Sequence, residues 1–144
     1  MSATLSIAEV AERTGLSKDT LRWYESEGLI PSVRRDASGY RAYDDAVVRM
    51  IELVIRLRRT GMPVRDAKAF VAMARQGAAT HGRRLALLRE HRQRVLAHLA
   101  EVEGDLHAID SKIDHYVDLI SQGRDCADQV VTDLEILSQQ RSSR

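Results

Sequence analysis

From Leu85 to Ile120 apolar residues return every three and then four positions, and this pattern restricts the fold of the 144-residue chain more than any other. With Leu85 at position a of a heptad, the a series is Leu85, Arg92, Leu99, Leu106, Ile113 and Ile120, and the d series is Leu88, Val95, Val102, Ile109 and Tyr116. Ten of these eleven residues are apolar. A 3.5-residue repeat held over five heptads is the signature of a coiled-coil helix. The spacing predicts one helix over 82–121, of which the heptad stretch from Leu85 to Ile120 is about 50 Å long at 1.5 Å per residue. A small neighbouring domain cannot cover so long a seam, so the simplest cover is a second copy related by a two-fold axis.

The rest of the sequence suits a helical protein. Hydrophobic residues make up 44% of it, but aromatic residues only 4%, which disfavours a thick sheet-based core and a large buried active site. Ser6 and Glu9 form a capping box that opens a helix with Ile7, Val10 and Ala11 on its apolar face. Gly15 ends it. Ser17 is placed to cap a second helix that runs to about Ser26, with Leu21 and Trp23 or Tyr24 facing inward. Two short helices joined by a tight glycine turn, here over about 6–26, are a helix-turn-helix pattern. In V-R-R-D-A-S-G-Y-R-A-Y (33–43), turn residues separate two short β-tolerant arms, which predicts a hairpin wing over about 31–43. Asp44 caps a third helix over 45–60, closed by Gly61, and Pro63 suits the first turn of a fourth over 64–76. Residues 77–82 read as a loop. The expected fold is therefore all-α dominated: a winged helix-turn-helix domain at 1–76, the coiled-coil helix at 82–121, and a short effector or tail segment at 122–144 with an amphipathic run at Val130, Leu134 and Leu137.

The formal net charge is only +1, but from Arg34 to Arg65 eight arginines stand against four acids. That local excess of +4 follows a helix-turn-helix and a glycine-tipped hairpin, the setting in which a basic patch reads as a nucleic-acid footprint. The candidate DNA contacts are Lys18, Thr20, Arg22 and Tyr24 on the second helix, Arg34, Arg35, Tyr40 and Arg41 on the hairpin, and Arg58 at the end of the third helix. A guanidinium fork matches phosphate oxygens and also guanine edges, while a phenol donates one hydrogen bond at fixed reach. The dimerisation residues are those of the heptad seam other than Arg92. A single cysteine, Cys126, excludes an intrachain disulfide and a multi-cysteine zinc site. No metal and no cofactor is expected. The histidines lack the i, i+4 pairing of a helical metal site, and His91 and His98 read as solvated or seam-flanking. No nucleophile elbow, P-loop or convergent carboxylate pair is present, so an enzyme is not expected. With no 18-residue apolar run, the chain reads as cytoplasmic.

These residues resemble the MerR-type (mercury-resistance regulator) family of bacterial transcription regulators. The likeness lies in I-A-E-V-A-E-R-T-G-L-S (7–17), T-L-R-W-Y-E (20–25), G-L-I-P (28–31), S-G-Y-R-A-Y (38–43) and R-R-T-G-M (58–62). The stretch L-H-A-I-D-S-K-I-D-H-Y (106–116) is similar to the small-effector branch that includes aldehyde-responsive members. Those members carry a cysteine in the third helix, where this sequence has Arg56. The resemblance implies an antiparallel coiled coil and DNA contacts from Arg22, Tyr24, Arg35, Tyr40, Arg41 and Arg58. It also implies a homodimer that binds promoter DNA with an over-long spacer, distorts it in response to an effector, and so aligns the promoter elements for RNA polymerase. Cys126 is the candidate effector or redox residue.

Overall fold

A computed structural model describes residues 3–143. The capping box forms as expected: Ser6 Oγ accepts from the Glu9 amide at 3.2 Å and Glu9 Oε2 accepts from the Ser6 amide at 2.7 Å. It opens α1 (Ile7–Thr14), which ends at Gly15 in the left-handed conformation, φ 76°. Helix α2 (Lys18–Ser26) starts from Ser17. The hairpin pairs β1 (Arg34–Arg35) with β2 (Arg41–Ala42) antiparallel, in the register Arg34 to Ala42 and Arg35 to Arg41. Helix α3 (Asp45–Arg59) is capped by Asp44, whose carboxylate accepts from the Val47 amide. Pro63 precedes α4 (Val64–Arg75) as its cap residue, with no side-chain hydrogen bond to the helix.

Residues 77–82 are not the loop that their composition suggests. Gly77–Thr80 forms a 3-10 turn and leads directly into α5 (His81–Gln122). Buried Thr80 explains the difference: its hydroxyl lies 2.6 Å from the Met73 carbonyl oxygen and 2.9 Å from that of Gly77, and Arg84 bonds to both Thr80 and Gly77. Side-chain bonds thus take over the backbone acceptors that a helix end leaves open.

The chain divides into two compact units, one ending at Val95 and the other beginning at Leu96. In the first, two apolar clusters fix the helices. Val10, Leu21, Ile30, Tyr43, Val48 and Ile51 hold α1, α2 and α3 together. Leu29, Leu57, Met62 and Ala67 form the second cluster, and Leu87 and Leu88 from the first turns of α5 pack onto it. Leu88, a seam residue by its heptad position, is therefore half-buried within its own chain. Of the two inward candidates on α2, Tyr24 is the one that packs, half-buried against both apolar clusters, whereas Trp23 is 50% exposed. Leu21 and Tyr24 are three apart and share a helix face, whereas Trp23 lies some 200° round from Leu21.

In the second unit α5 runs on to Gln122, and a turn through Gly123 and a single bridge between Arg124 and Val130 lead to α6 (Leu134–Gln139). Asp133 caps α6 through bonds from the Glu135 and Ile136 amides. Leu137 is half-buried, its side chain 3.5 Å from where a methyl group on Gly123 would stand, while Val130 and Leu134 of the expected amphipathic run stay exposed. Among the described residues, no helix is long and apolar enough to cross a membrane.

Candidate nucleic-acid interface

The start of α2 is held by its cap. Ser17 Oγ accepts from the Thr20 amide at 3.0 Å and lies 2.8 Å from the Thr20 hydroxyl. Thr20 thus belongs to the cap as well as to the candidate contact set. Lys18 and Arg22 are exposed, and Arg22 forms an i, i+3 pair with Asp19 at 2.9 Å. That pair is open to water and contributes little to stability.

The hairpin tip is shaped by Asp36. Its Oδ1 accepts from the Ser38 amide at 2.9 Å and the Tyr40 amide at 3.0 Å, and its own amide donates to the Tyr40 carbonyl at 2.8 Å. Gly39 adopts φ 82° there, a conformation that glycine takes without the steric cost borne by other residues. Arg35 reaches along the tip and donates from Nη1 to the Gly39 carbonyl at 2.7 Å. Arg34, Arg35 and Tyr40 are all exposed, Tyr40 by 73%.

Glu25 joins the hairpin to α2, a role that the sequence reading does not assign to it. Its Oε1 accepts from Arg41 Nε at 3.0 Å and its Oε2 from the Val33 amide at 3.2 Å, with the side chains of Arg41 and Glu25 only 22% and 18% exposed. Arg41 is therefore a strut between hairpin and helix as well as a candidate phosphate contact. The signal in the sequence is the acid that closes T-L-R-W-Y-E, eight residues before Val33 at the start of an arginine-rich hairpin. At the hairpin's base, Leu5 and Tyr43 exchange backbone bonds of 2.8 and 2.9 Å. Burial, and then the nearby Glu25 carboxylate, push the Tyr43 phenol above its ordinary pKa.

Arg58 lies at the turn between α3 and α4. It is half-buried and donates from Nη1 to the Met62 carbonyl, across Gly61 with its φ of 98°. His91 is buried rather than solvated: it is 5% exposed, and its Nε2 lies 2.8 Å from the Thr60 hydroxyl. The heptad places His91 beside the seam, but so early on α5 that this face meets the α3–α4 turn. Burial and the Arg94 guanidinium hold its pKa below the ordinary histidine value, with Asp66 opposing them.

Along α5 the seam residues Leu85, Leu99, Val102, Leu106, Ile109, Ile113 and Tyr116 stay exposed on the single chain, while Val95 and Ile120 are half-buried. Cys126 is an exposed thiol in the turn after α5. It borders an open cleft of about 310 Å³ with Tyr116, Leu119, Ile120, Arg124 and Gln140. Among the described residues, no group of three or more His, Cys, Asp or Glu side chains is placed to hold a metal ion.

A sequence profile for the MerR HTH family regulatory protein matches residues 5–74, from the start of the helix-turn-helix to the end of α4. An uncharacterized HTH-type transcriptional regulator of Haemophilus influenzae is 34% identical over 113 residues, 78% of this chain and 84% of its own length. The chain belongs to the MerR family of DNA-binding transcription regulators. Within this family it is similar to the regulator AdhR of Bacillus subtilis, 36% identical over 92 residues, 64% of this chain and 66% of AdhR. It is also similar to the crystal structure of HiNmlR, a MerR family regulator lacking the sensor domain, bound to promoter DNA. That likeness has a TM-score of 0.75 and 33% identity, and it covers 83% of this chain and 95% of HiNmlR. These relatives regulate transcription and are not enzymes, in accord with the expectation from sequence.

Proposed function

We propose that this MerR-family chain acts in the cytoplasm as a homodimer on promoter DNA, and that it switches transcription by distorting an over-long promoter spacer when an effector binds. The observation that carries the dimer is the α5 seam: Leu99, Val102, Leu106, Ile109 and Ile113 are each about half exposed in a single chain, in an unbroken heptad series. A monomer leaving that stripe in water forgoes the burial that its sequence pattern provides. In this division of labour residues 1–76 read the DNA, 82–121 pair the two chains, and 122–144 serve the effector response, with Cys126 the residue to examine there.

On the DNA, α2 enters the major groove with Lys18, Thr20, Arg22 and Tyr24, while Arg34, Arg35, Tyr40 and Arg41 of the hairpin and Arg58 engage the phosphate backbone. HiNmlR was solved on promoter DNA, which supports this assignment for a chain of the same family. Distorting a promoter spacer costs a few kcal/mol, within the range that an effector's preference for one protein state can provide. RNA polymerase then engages the realigned promoter. Footprinting on the intergenic DNA beside the gene, combined with in vitro transcription, tests this: one palindrome within the spacer is expected, and protection scattered without a palindrome refutes it.

A further inference from the structure

Thr60 and His91 meet where the first turns of α5 cross the α3–α4 turn, and their hydrogen bonds can be assigned direction by counting protons. The Thr60 hydroxyl has one proton and two carbonyl neighbours, Arg56 at 2.7 Å and Leu57 at 3.2 Å. With that proton given to the nearer carbonyl, the hydroxyl oxygen accepts from His91, 2.8 Å away. His91 is then the neutral tautomer protonated at Nε2. Its Nδ1 is buried without a hydrogen-bond partner. Around it stand Arg94 on α5 and Asp66 on α4, themselves 3.9 Å apart. The turn it grips is short: Thr60 ends α3, Gly61 reverses the chain, and the buried Met62 accepts from the Arg58 guanidinium. Leu87 and Leu88, from the same turns of α5 as His91, pack against the cluster that contains Leu57 and Met62.

We propose that His91 is a positioning residue for DNA binding, which through Thr60 fixes the α3–α4 turn in the shape that presents Arg58 to the phosphate backbone. This rests on the reading of Arg58 as a DNA contact. His91 itself lies too deep to touch DNA and acts through the turn.

The test measures affinity of the full-length chain for a duplex that the wild-type protein has selected from a random-sequence pool. Arg58→Ala and His91→Leu should each weaken binding roughly tenfold, and the double variant should bind no more weakly than Arg58→Ala alone, because both changes act through one contact. His91→Gln, whose amide donates from nearly the same place as Nε2, should restore most of the affinity. Thr60→Val cuts the bond from the other side and takes the place of His91→Leu should that variant lose its helicity. If Arg58→Ala weakens binding while His91→Leu and Thr60→Val do not, the coupling is refuted and the reading of Arg58 stands. If Arg58→Ala binds like wild type, that reading fails and the coupling with it. Equal losses in His91→Leu and His91→Gln, with helicity intact, would reduce His91 to packing and overturn its positioning role.

Discussion

Replacing Leu99 and Leu106 together by Asp puts the pairing of two chains to a quantitative test. The two leucines are 51% and 54% exposed in one chain, so the proposed dimer would have about half of each side chain left to bury. Fully burying a leucine is worth about 2 kcal/mol, which leaves about 1 kcal/mol per residue for association. A dimer contains four such residues, so the lost burial amounts to about 4 kcal/mol. That is close to a thousandfold in the dissociation constant. Each new carboxylate facing the seam adds a desolvation cost in the same direction. Sedimentation across a concentration series reads the constant directly, and circular dichroism checks that α5 stays helical. A shift of less than about tenfold in a helical variant would mean that these residues do not meet a partner, and the heptad phase would have to be abandoned.

Arg41→Ala should act twice: losing its bond to Glu25 destabilises the fold by about 1 to 2 kcal/mol in urea unfolding, and losing a phosphate contact lowers the salt slope of DNA binding by about one. An unchanged slope removes Arg41 from the contacts and leaves it only as a strut. Gly39→Ala has open space around the new methyl group but must keep φ 82°, so about 1 kcal/mol of strain at the hairpin tip is expected; DNA affinity equal to wild type would show that the tip does not engage the backbone. For His91 the sign follows from its lowered pKa: folded protein keeps the ring neutral while the unfolded chain takes up a proton near pH 6.5, so stability falls as pH drops below about 6.5 and levels off once the folded state also protonates. Urea unfolding across that range should show a smaller decline in His91→Gln; identical declines would argue against a buried neutral imidazole.

Where a residue's role depends on near neighbours in sequence, the chain announced it. The Ser6–Glu9 box, the Asp44 cap, the left-handed glycines and the heptad stripe are all rules of local spacing, and the starts of α1 to α5 agree with them within a residue. Apart from the 3-10 turn at 77–80, held by Thr80 and Arg84 within seven residues of their partners, what spacing does not reveal depends on residues far apart in the chain. Glu25 takes its role from Arg41, sixteen residues on, and Thr60 from His91, thirty-one residues on. Periodicity cannot register such pairs, since it reports which face of an element a residue occupies and not what that face meets. The choice between Trp23 and Tyr24 shows the same limit within one helix, for spacing left both as inward candidates and only the packing against the two clusters selects Tyr24.

Those two long-range pairs share a physical logic. Each ties a segment that carries candidate DNA-contacting arginines to a helix that packing already holds. The hairpin is only two residues per strand, and an isolated two-stranded ribbon of that length does not hold its shape in water. Glu25 supplies the missing constraint by gripping the hairpin at Arg41 and at the Val33 amide together. The α3–α4 turn is equally short and bends at a glycine, and it is gripped from α5 by His91. A contact that must find phosphates at fixed spacing gains affinity when its conformation is settled before binding, because less entropy is lost on the DNA. Glu25→Gln should therefore slow association with DNA and raise its entropic cost in calorimetry, although removing a negative charge would by itself favour DNA. Tighter binding of Glu25→Gln would mean that simple electrostatics outweighs the bracing at this joint.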